Sequence, residues 1–318
     1  TKTIFFAFKR QGKKGEEMRF VEVHRKDDNN VGDLYSNPLR YFAPEQVRLS
    51  IDIAAPFNKT WSDKDILVAG GGGLIGNEHF GEYLEDLLKS PDLASLNNMW
   101  NNRWVLGHTA NTKVYNVFHE KMTKLIREAE EALVKNKGAK VIWGAGINER
   151  STGMSYKLPK WIKKYDLVGI RDDISEFDWV PCASCMHPAF DQKYKVTNEV
   201  VFFEHKKQLL KPTQIGKVPM PRFANSGSNF EQIIQILGSA NTVITNSYHG
   251  VYWATLLGKK VVCMEPWSNK FRFFKHAPLF ATTKDRTESL IKDAPTHPTA
   301  LQDCRDANQT FWRKVSAL

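Results

Sequence analysis

The turn Asn246-Ser247-Tyr248-His249-Gly250 lies between two apolar runs, Val243-Ile244 and Val261-Val262-Cys263-Met264. Histidine titrates near neutrality, so at a turn it can hand a proton to a substrate. The same place also suits a histidine that only caps the helix behind it. Arg171 closes the apolar stretch Leu167-Val168-Gly169-Ile170 and precedes Asp172 and Asp173. Its guanidinium can fork two hydrogen bonds to a phosphate or carboxylate, or pair with either aspartate. Asp33, in Asn30-Val31-Gly32-Asp33, reads as a helix N-cap or as a carboxylate that takes a proton.

Two glycine turns accompany these residues. Gly70, Gly71, Gly72 and Gly73 follow the apolar Ile66-Leu67-Val68-Ala69, and Gly144 and Gly146 follow Val141-Ile142-Trp143. Gly71, Gly73 and Gly76 fall in a G-x-G-x-x-G frame. A dinucleotide site needs a further strand ending in an acid about twenty residues on. The stretch from Leu84 to Leu96 reads instead as helix and loop, which counts against a dehydrogenase. What remains is a turn whose amides can approach an anion at a helix start, or a tight turn holding nothing. Cys182 and Cys185 form a C-x-x-C, while Cys263 and Cys304 stand apart. That is neither a four-ligand zinc pattern nor a disulfide framework, so no metal is expected and the thiols fit a reducing cytoplasm.

The elements that must position these groups alternate. Apolar runs at Asp65 to Gly70, Lys140 to Ala145, Tyr165 to Arg171, Asp178 to Cys185 and Glu199 to Lys207 read as strands. So do Thr3 to Phe8 and Met18 to Val23, on either side of a basic turn. Helical patterns are expected around Leu34 to Phe42, Glu78 to Ser90, Val114 to Asn136, Asn229 to Ser239, Val251 to Leu257 and in the last stretch from Ala300. Short β-branched runs alternating with helices imply parallel, doubly wound α/β sheets, whose ligands gather outside the carboxyl ends of the strands. With 318 residues, two Rossmann-like domains are expected, 1–155 and 156–318, divided at the polar segment around Asn148 to Trp161. The final helix, with Phe311 and Trp312, can cross back onto the first domain. The net charge of +10 favours anionic partners, but no nucleic-acid motif accompanies it, and no apolar run reaches membrane-spanning length. The amino terminus lacks the pattern of a secretion signal.

The blocks Asn30-Val31-Gly32-Asp33, Gly70 to Gly73, Gly144-Ala145-Gly146, Ile170-Arg171-Asp172-Asp173 and Asn246 to Gly250, taken in order, resemble the polysaccharide pyruvyl transferase family, including the exopolysaccharide ketal-pyruvate transferases. The resemblance runs from Asn30 to about Phe273. It implies a GT-B-like pair of domains with the site in the interdomain cleft. It also implies transfer of the pyruvyl group of phosphoenolpyruvate to a sugar diol, with no cofactor, in the cytoplasm. The acceptor would be a sugar or lipid-linked oligosaccharide, which allows peripheral association with the inner face of the membrane. His249 would then be the acid and Asp33 the base, with Glu265 a further carboxylate near the acceptor. Arg171, Ser247 and Tyr248 would hold the donor. Many members carry Ser-Arg-Leu-His where this chain has Asn246-Ser247-Tyr248-His249, so Lys270 or Arg272 would supply the absent charge. A GT-B glycosyltransferase using a nucleotide sugar, or a saccharide-binding protein of the same fold without catalysis, are the alternatives.

Overall fold

The computed structural model describes residues 18–27, 29–52, 62, 64–75, 138–148, 153–156, 158, 162–163, 165–206, 208–209, 220–282, 285 and 287–318. The expected strand at Thr3 to Phe8, the helices at Glu78 to Ser90 and Val114 to Asn136, Gly76 of the glycine frame, and parts of the expected division and of the proline- and glycine-rich connection that the sequence places between Lys206 and Ser228 lie outside the described residues.

Two parallel sheets organise the chain. The first comprises β1 (Phe20–His24), β2 (Val47–Asp52), β3 (Ile66–Gly70), β4 (Lys140–Ala145), β5 (Leu167–Ile170) and β6 (Asp178–Trp179), in the order β2-β1-β3-β4-β5-β6. The second comprises β7 (Asn198–His205), β8 (Arg222–Asn225), β9 (Ala240–Thr245), β10 (Lys260–Met264) and β11 (Leu279–Ala281), in the order β11-β10-β9-β7-β8. Every described pairing of these strands is parallel.

Period-two alternation explains their apolar runs. Along β3, Leu67 and Ala69 enter the core on one face of the first sheet, and Ile66 and Val68 enter the core on the other. In the second sheet, Val261 and Cys263 face one core while Val262 and Met264 face the other. A strand buried on both faces has no polar side, which is why these runs read so plainly.

Three expectations are corrected here. Strands β5 and β6 pair into the first sheet, so the change of sheet falls after Trp179 rather than near residue 155, and Arg171 ends a strand of the first sheet. The helix expected from Leu34 to Phe42 is two short ones, α1 (Val31–Tyr35) and α2 (Leu39–Phe42). Pro38 separates them, since a proline disfavours helical backbone in the residue before it. The run Val261 to Met264, expected from the sequence to be the last strand, is β10, and β11 pairs beside it.

The helices of the second half are α3 (Phe230–Gly238), α4 (Tyr248–Leu256), α5 (Thr287–Asp293) and α6 (Ala300–Val315). Helix α4 ends in a double-bonded glycine cap. Gly258 sits at φ +68°, its N–H bonds Thr255 and the next N–H, of Lys259, reaches back to Ala254, both at 3.0 Å. Helix α6 touches both sheets. Ala300 and Cys304 lie in the core beside β9 and β10, and Phe311 and Val315 lie in the core beside β3 and β4. Trp143 Nε1 donates to Asn308 Oδ1 at 2.9 Å, and Asn308 Nδ2 donates to the carbonyls of Pro181 and Cys304. The Phe311 ring stands edge-on to Trp143 at 5.4 Å.

Phe311→Ala should therefore lower stability by about 3–5 kcal/mol, as read by urea denaturation. A loss below about 1 kcal/mol would show that helix α6 does not hold the first sheet.

Candidate functional site

The segments that follow β1, β3, β4, β5 and β9 meet. Gly32, in α1, lies so close to His249 that a Cβ there would stand 2.0 Å from Nδ1 of the ring. Gly146, after β4, lies as close to Arg171, where a Cβ would stand 2.0 Å from Nε. These glycines are needed for what they lack. Gly71 and Gly72 take left-handed backbone at φ +77° and +73°, which turns the chain after β3 and brings Gly72 against Asp33. Gly73 packs on Asn148, and Gly144 takes φ +69° within β4. Gly70 ends β3 against the carbonyl of Trp143.

Ser247 is the N-cap of α4, and its hydroxyl accepts from the N–H of Gly250 and from Asn225 Nδ2. The capping role weighed for His249 thus belongs to Ser247, and His249 stands one residue inside the helix. Asp33 is likewise not the cap of its helix. That position is Asn30, whose Nδ2 donates to Asp33 Oδ2 at 2.7 Å. The Arg171 guanidinium lies over the Tyr248 ring, its Cζ 3.9 Å from the ring centroid, and Phe274 stacks on that ring at 4.5 Å. Lys270 donates to Asn148 Oδ1 at 3.3 Å. Arg272 lies over the Phe280 ring instead, so of the two cations suggested to make up the missing charge, Lys270 is the one beside Arg171. Glu265 sits at φ +47° with its N–H bonded to Ala281, at the β10–β11 edge.

Arg171 forms no ion pair with Asp172 or Asp173 among the described residues. Asp172 accepts from the N–H of Ile147 at 2.6 Å. Arg171 Nε, Asn30 Oδ1 and Asp172 Oδ1 are buried with no hydrogen-bond partner among the described residues. Buried polar atoms are ordinarily satisfied, so Arg171 Nε leaves a donor, and Asn30 Oδ1 and Asp172 Oδ1 leave acceptors, for a polar partner to meet.

The electrostatics overturn one expectation. His249 does not titrate near neutrality. Burial, then the charges of Arg171 and Lys270, push its pKa well below the ordinary 6.5, so the free protein holds it neutral. The packing around Lys270, and then Arg171, lowers its pKa to about 7, against the pull of Asp33 and Asp172. Burial lifts Asp172 to about 6, opposed by Arg171. Burial also drives the Tyr248 phenol upward.

Two neighbours escaped the sequence reading. Cys182, in the 3-10 turn region beside Ala183–Met186, brings Sγ to 3.8 Å from His249 Nε2. Its C-x-x-C spacing was weighed only as a metal or packing signal. Its thiol is held protonated by burial. Asn148 carries no motif at all and is found only by its contacts with Lys270 and Gly73.

No family model matches this chain, and no curated protein matches it. A solved structure of an uncharacterized protein from Klebsiella pneumoniae subsp. pneumoniae aligns with 83% of this chain and 93% of its own, at 15% identity and TM-score 0.40. Another, provisionally assigned as a UDP-N-acetylglucosamine 2-epimerase from Listeria monocytogenes, aligns with 92% of this chain and 90% of its own, at 9% identity and TM-score 0.40. At these scores neither likeness bears on the chemistry of the site.

A histidine with a lowered folded pKa leaves the unfolded chain as the better proton binder below 6.5. Stability from this group is complete above that pH and is lost as pH falls through it. Asp172 acts with the opposite sign, so the comparison must isolate the histidine. Between pH 6.5 and one unit lower, the wild type should lose about 1 kcal/mol more than His249→Gln. Parallel pH profiles in chemical denaturation would contradict a neutral His249.

Proposed function

We propose that this protein transfers the pyruvyl group of phosphoenolpyruvate to two hydroxyls of a saccharide, forming a cyclic ketal and releasing phosphate. The observation that carries the reading is the meeting of His249, Arg171, Lys270, Asp33 and the glycine turns at one place, from segments far apart in sequence. In this reading the two sheets belong to a GT-B-like pair of domains, with the site between them.

The donor's phosphate and carboxylate take the positions facing Arg171 and Lys270, near the amides of Gly72 and Gly73. Their negative charge offsets the two cations that keep His249 neutral, so donor binding raises the proton affinity of the imidazole. The imidazolium then gives its proton to the donor's methylene carbon, which becomes the methyl group. The first sugar hydroxyl bonds to the central carbon and yields its proton to Asp33. The carbon–oxygen bond to phosphate breaks with its electron pair, and the second hydroxyl bonds in its place. Of the two hydroxyl protons, one restores the histidine and one leaves with phosphate or to solvent. Tyr248 holds the Arg171 guanidinium beneath the donor, and Lys270 supplies the charge that the sequence pattern lacks. Ser247 acts through the helix cap rather than on the donor. The acceptor is a sugar or a lipid-linked oligosaccharide, and no cofactor takes part.

A donor screen that follows phosphate release with candidate acceptors tests this. Phosphoenolpyruvate should support turnover and nucleotide sugars should not. His249→Ala should lower turnover by about a hundredfold to ten-thousandfold while donor binding persists. Arg171→Lys should weaken donor binding, because an ammonium lacks the planar two-bond fork. Turnover with a nucleotide sugar alone would replace this reading with glycosyl transfer. Ligand binding with no turnover would replace it with a binding role.

A further inference from the structure

We propose that Cys182 is a positioning residue for His249, its thiol donating to Nε2 and so holding the neutral ring in the Nδ1–H form. The sulfur lies 3.8 Å from Nε2. In a neutral imidazole, the hydrogen bond made by one nitrogen decides which nitrogen carries the proton.

The direction of that bond follows from a chain of buried side chains that ends at the ring. Trp253 Nε1 lies 3.0 Å from Ser184 Oγ, and Ser184 Oγ lies 3.1 Å from Cys182 Sγ. Trp253, Ser184 and Cys182 are each at most 1% exposed, so their polar atoms must find partners inside the protein. An indole N–H can only donate, so the Ser184 oxygen accepts from Trp253. The Ser184 hydroxyl proton then has one acceptor among the described residues, the Cys182 sulfur. Burial keeps the thiol protonated, and its own S–H is left for Nε2. In this order every donor is met: indole to hydroxyl, hydroxyl to thiol, thiol to imidazole.

The other orders strand a donor. If Nε2–H donated to sulfur and the thiol to Ser184, the serine hydroxyl would be buried without an acceptor. That loss weighs against the order by about fivefold to a hundredfold. If Nε2–H and the serine both donated to sulfur, a weak acceptor would take two bonds and the S–H would have none. The fold thus reverses the preference of free histidine, whose neutral ring favours Nε2–H in water.

The consequence lies at the other nitrogen. Nδ1 is the ring atom nearest to Gly32 and has no hydrogen bond among the described residues. Gly32 precedes Asp33 in α1, so the N–H is presented on the α1 side of the ring. In the transfer reading, on which this consequence rests, Nδ1 is the nitrogen that gives its proton to the methylene carbon. The proton that remains on Nε2 then donates to sulfur, because a thiol both donates and accepts.

Long-range proton–nitrogen NMR correlation of the imidazole rings reads the tautomer directly. The full chain is measured well above pH 6.5, without phosphoenolpyruvate, and His249→Gln assigns the signals. The Nδ1–H form should exceed Nε2–H by at least about fivefold. Cys182→Ala should bring the ratio down to an even mixture or below. Ser184→Ala, which removes nothing that bonds the ring, should do the same. Cys182→Ser, whose hydroxyl still donates, should keep the Nδ1–H form. Thermal midpoints confirm that each variant is folded, and the wild-type ratio decides on its own should one not fold. An even mixture or an Nε2–H majority in the wild type, a ratio unchanged by either alanine variant, or Cys182→Ser behaving as Cys182→Ala would overturn the proposal. With no donor present, the tautomer can hold where pyruvyl transfer fails, and the reverse.

Discussion

A neutral imidazole held in a dry place beside two cations is the constraint on which the rest of the structure depends. Water would solvate a charged His249, but here the residue is buried, with Trp253 stacked on it at 4.8 Å, Cys182 Sγ 3.8 Å from Nε2 and Gly32 packed beside the ring. Arg171 and Lys270 add their charge to the cost of protonation. An arrangement that expensive in isolation makes sense when a multiply charged anion completes it. The unmet donor Arg171 Nε points to the same completion.

Building that place requires backbone to come unusually close to two side chains. Gly32 against His249 and Gly146 against Arg171 leave no room for a Cβ, so each glycine fixes a distance between segments of different sheets or strands. Other bonds hold the same parts together. Lys270 reaches Asn148, Asn269 donates to the carbonyl of Ser155, and the N–H of Asp173 bonds the carbonyl of Phe273. Helix α6 ties the cores of both sheets from another side, through Cys304 at one end and Phe311 at the other. Loosening that helix would act on the site without touching it.

The parallel strands were legible because burial on both faces leaves no polar alternation to confuse with a helix. β3, β4, β9 and β10 are of that kind. Val47–Asp52 was not read as a strand, because it is an edge, half-exposed, with Arg48 and Ser50 among its apolar residues. Arg222–Asn225 was hidden in a proline-rich connection for the same reason. The partition of strands between sheets was misread. A polar segment marks a surface loop, but it does not say whether the next strand joins the old sheet or starts a new one. In the site, His249, Arg171 and the glycines carry motif spacing and were found. Cys182 and Asn148 enter through tertiary contact alone. The titration of His249 was misjudged for that reason too, since a histidine's proton affinity depends on neighbours that only the folded chain supplies.

The account turns on whether an anionic donor restores the proton that the fold withholds. Histidine imidazole signals, assigned with His249→Gln and followed by NMR across pH with and without phosphoenolpyruvate, measure this directly. The account predicts that His249 stays neutral in the free protein at and below pH 6.5, and that saturating phosphoenolpyruvate raises its pKa by at least about one unit. A pKa near 6.5 in the free protein, or one that phosphoenolpyruvate leaves unmoved, would contradict it.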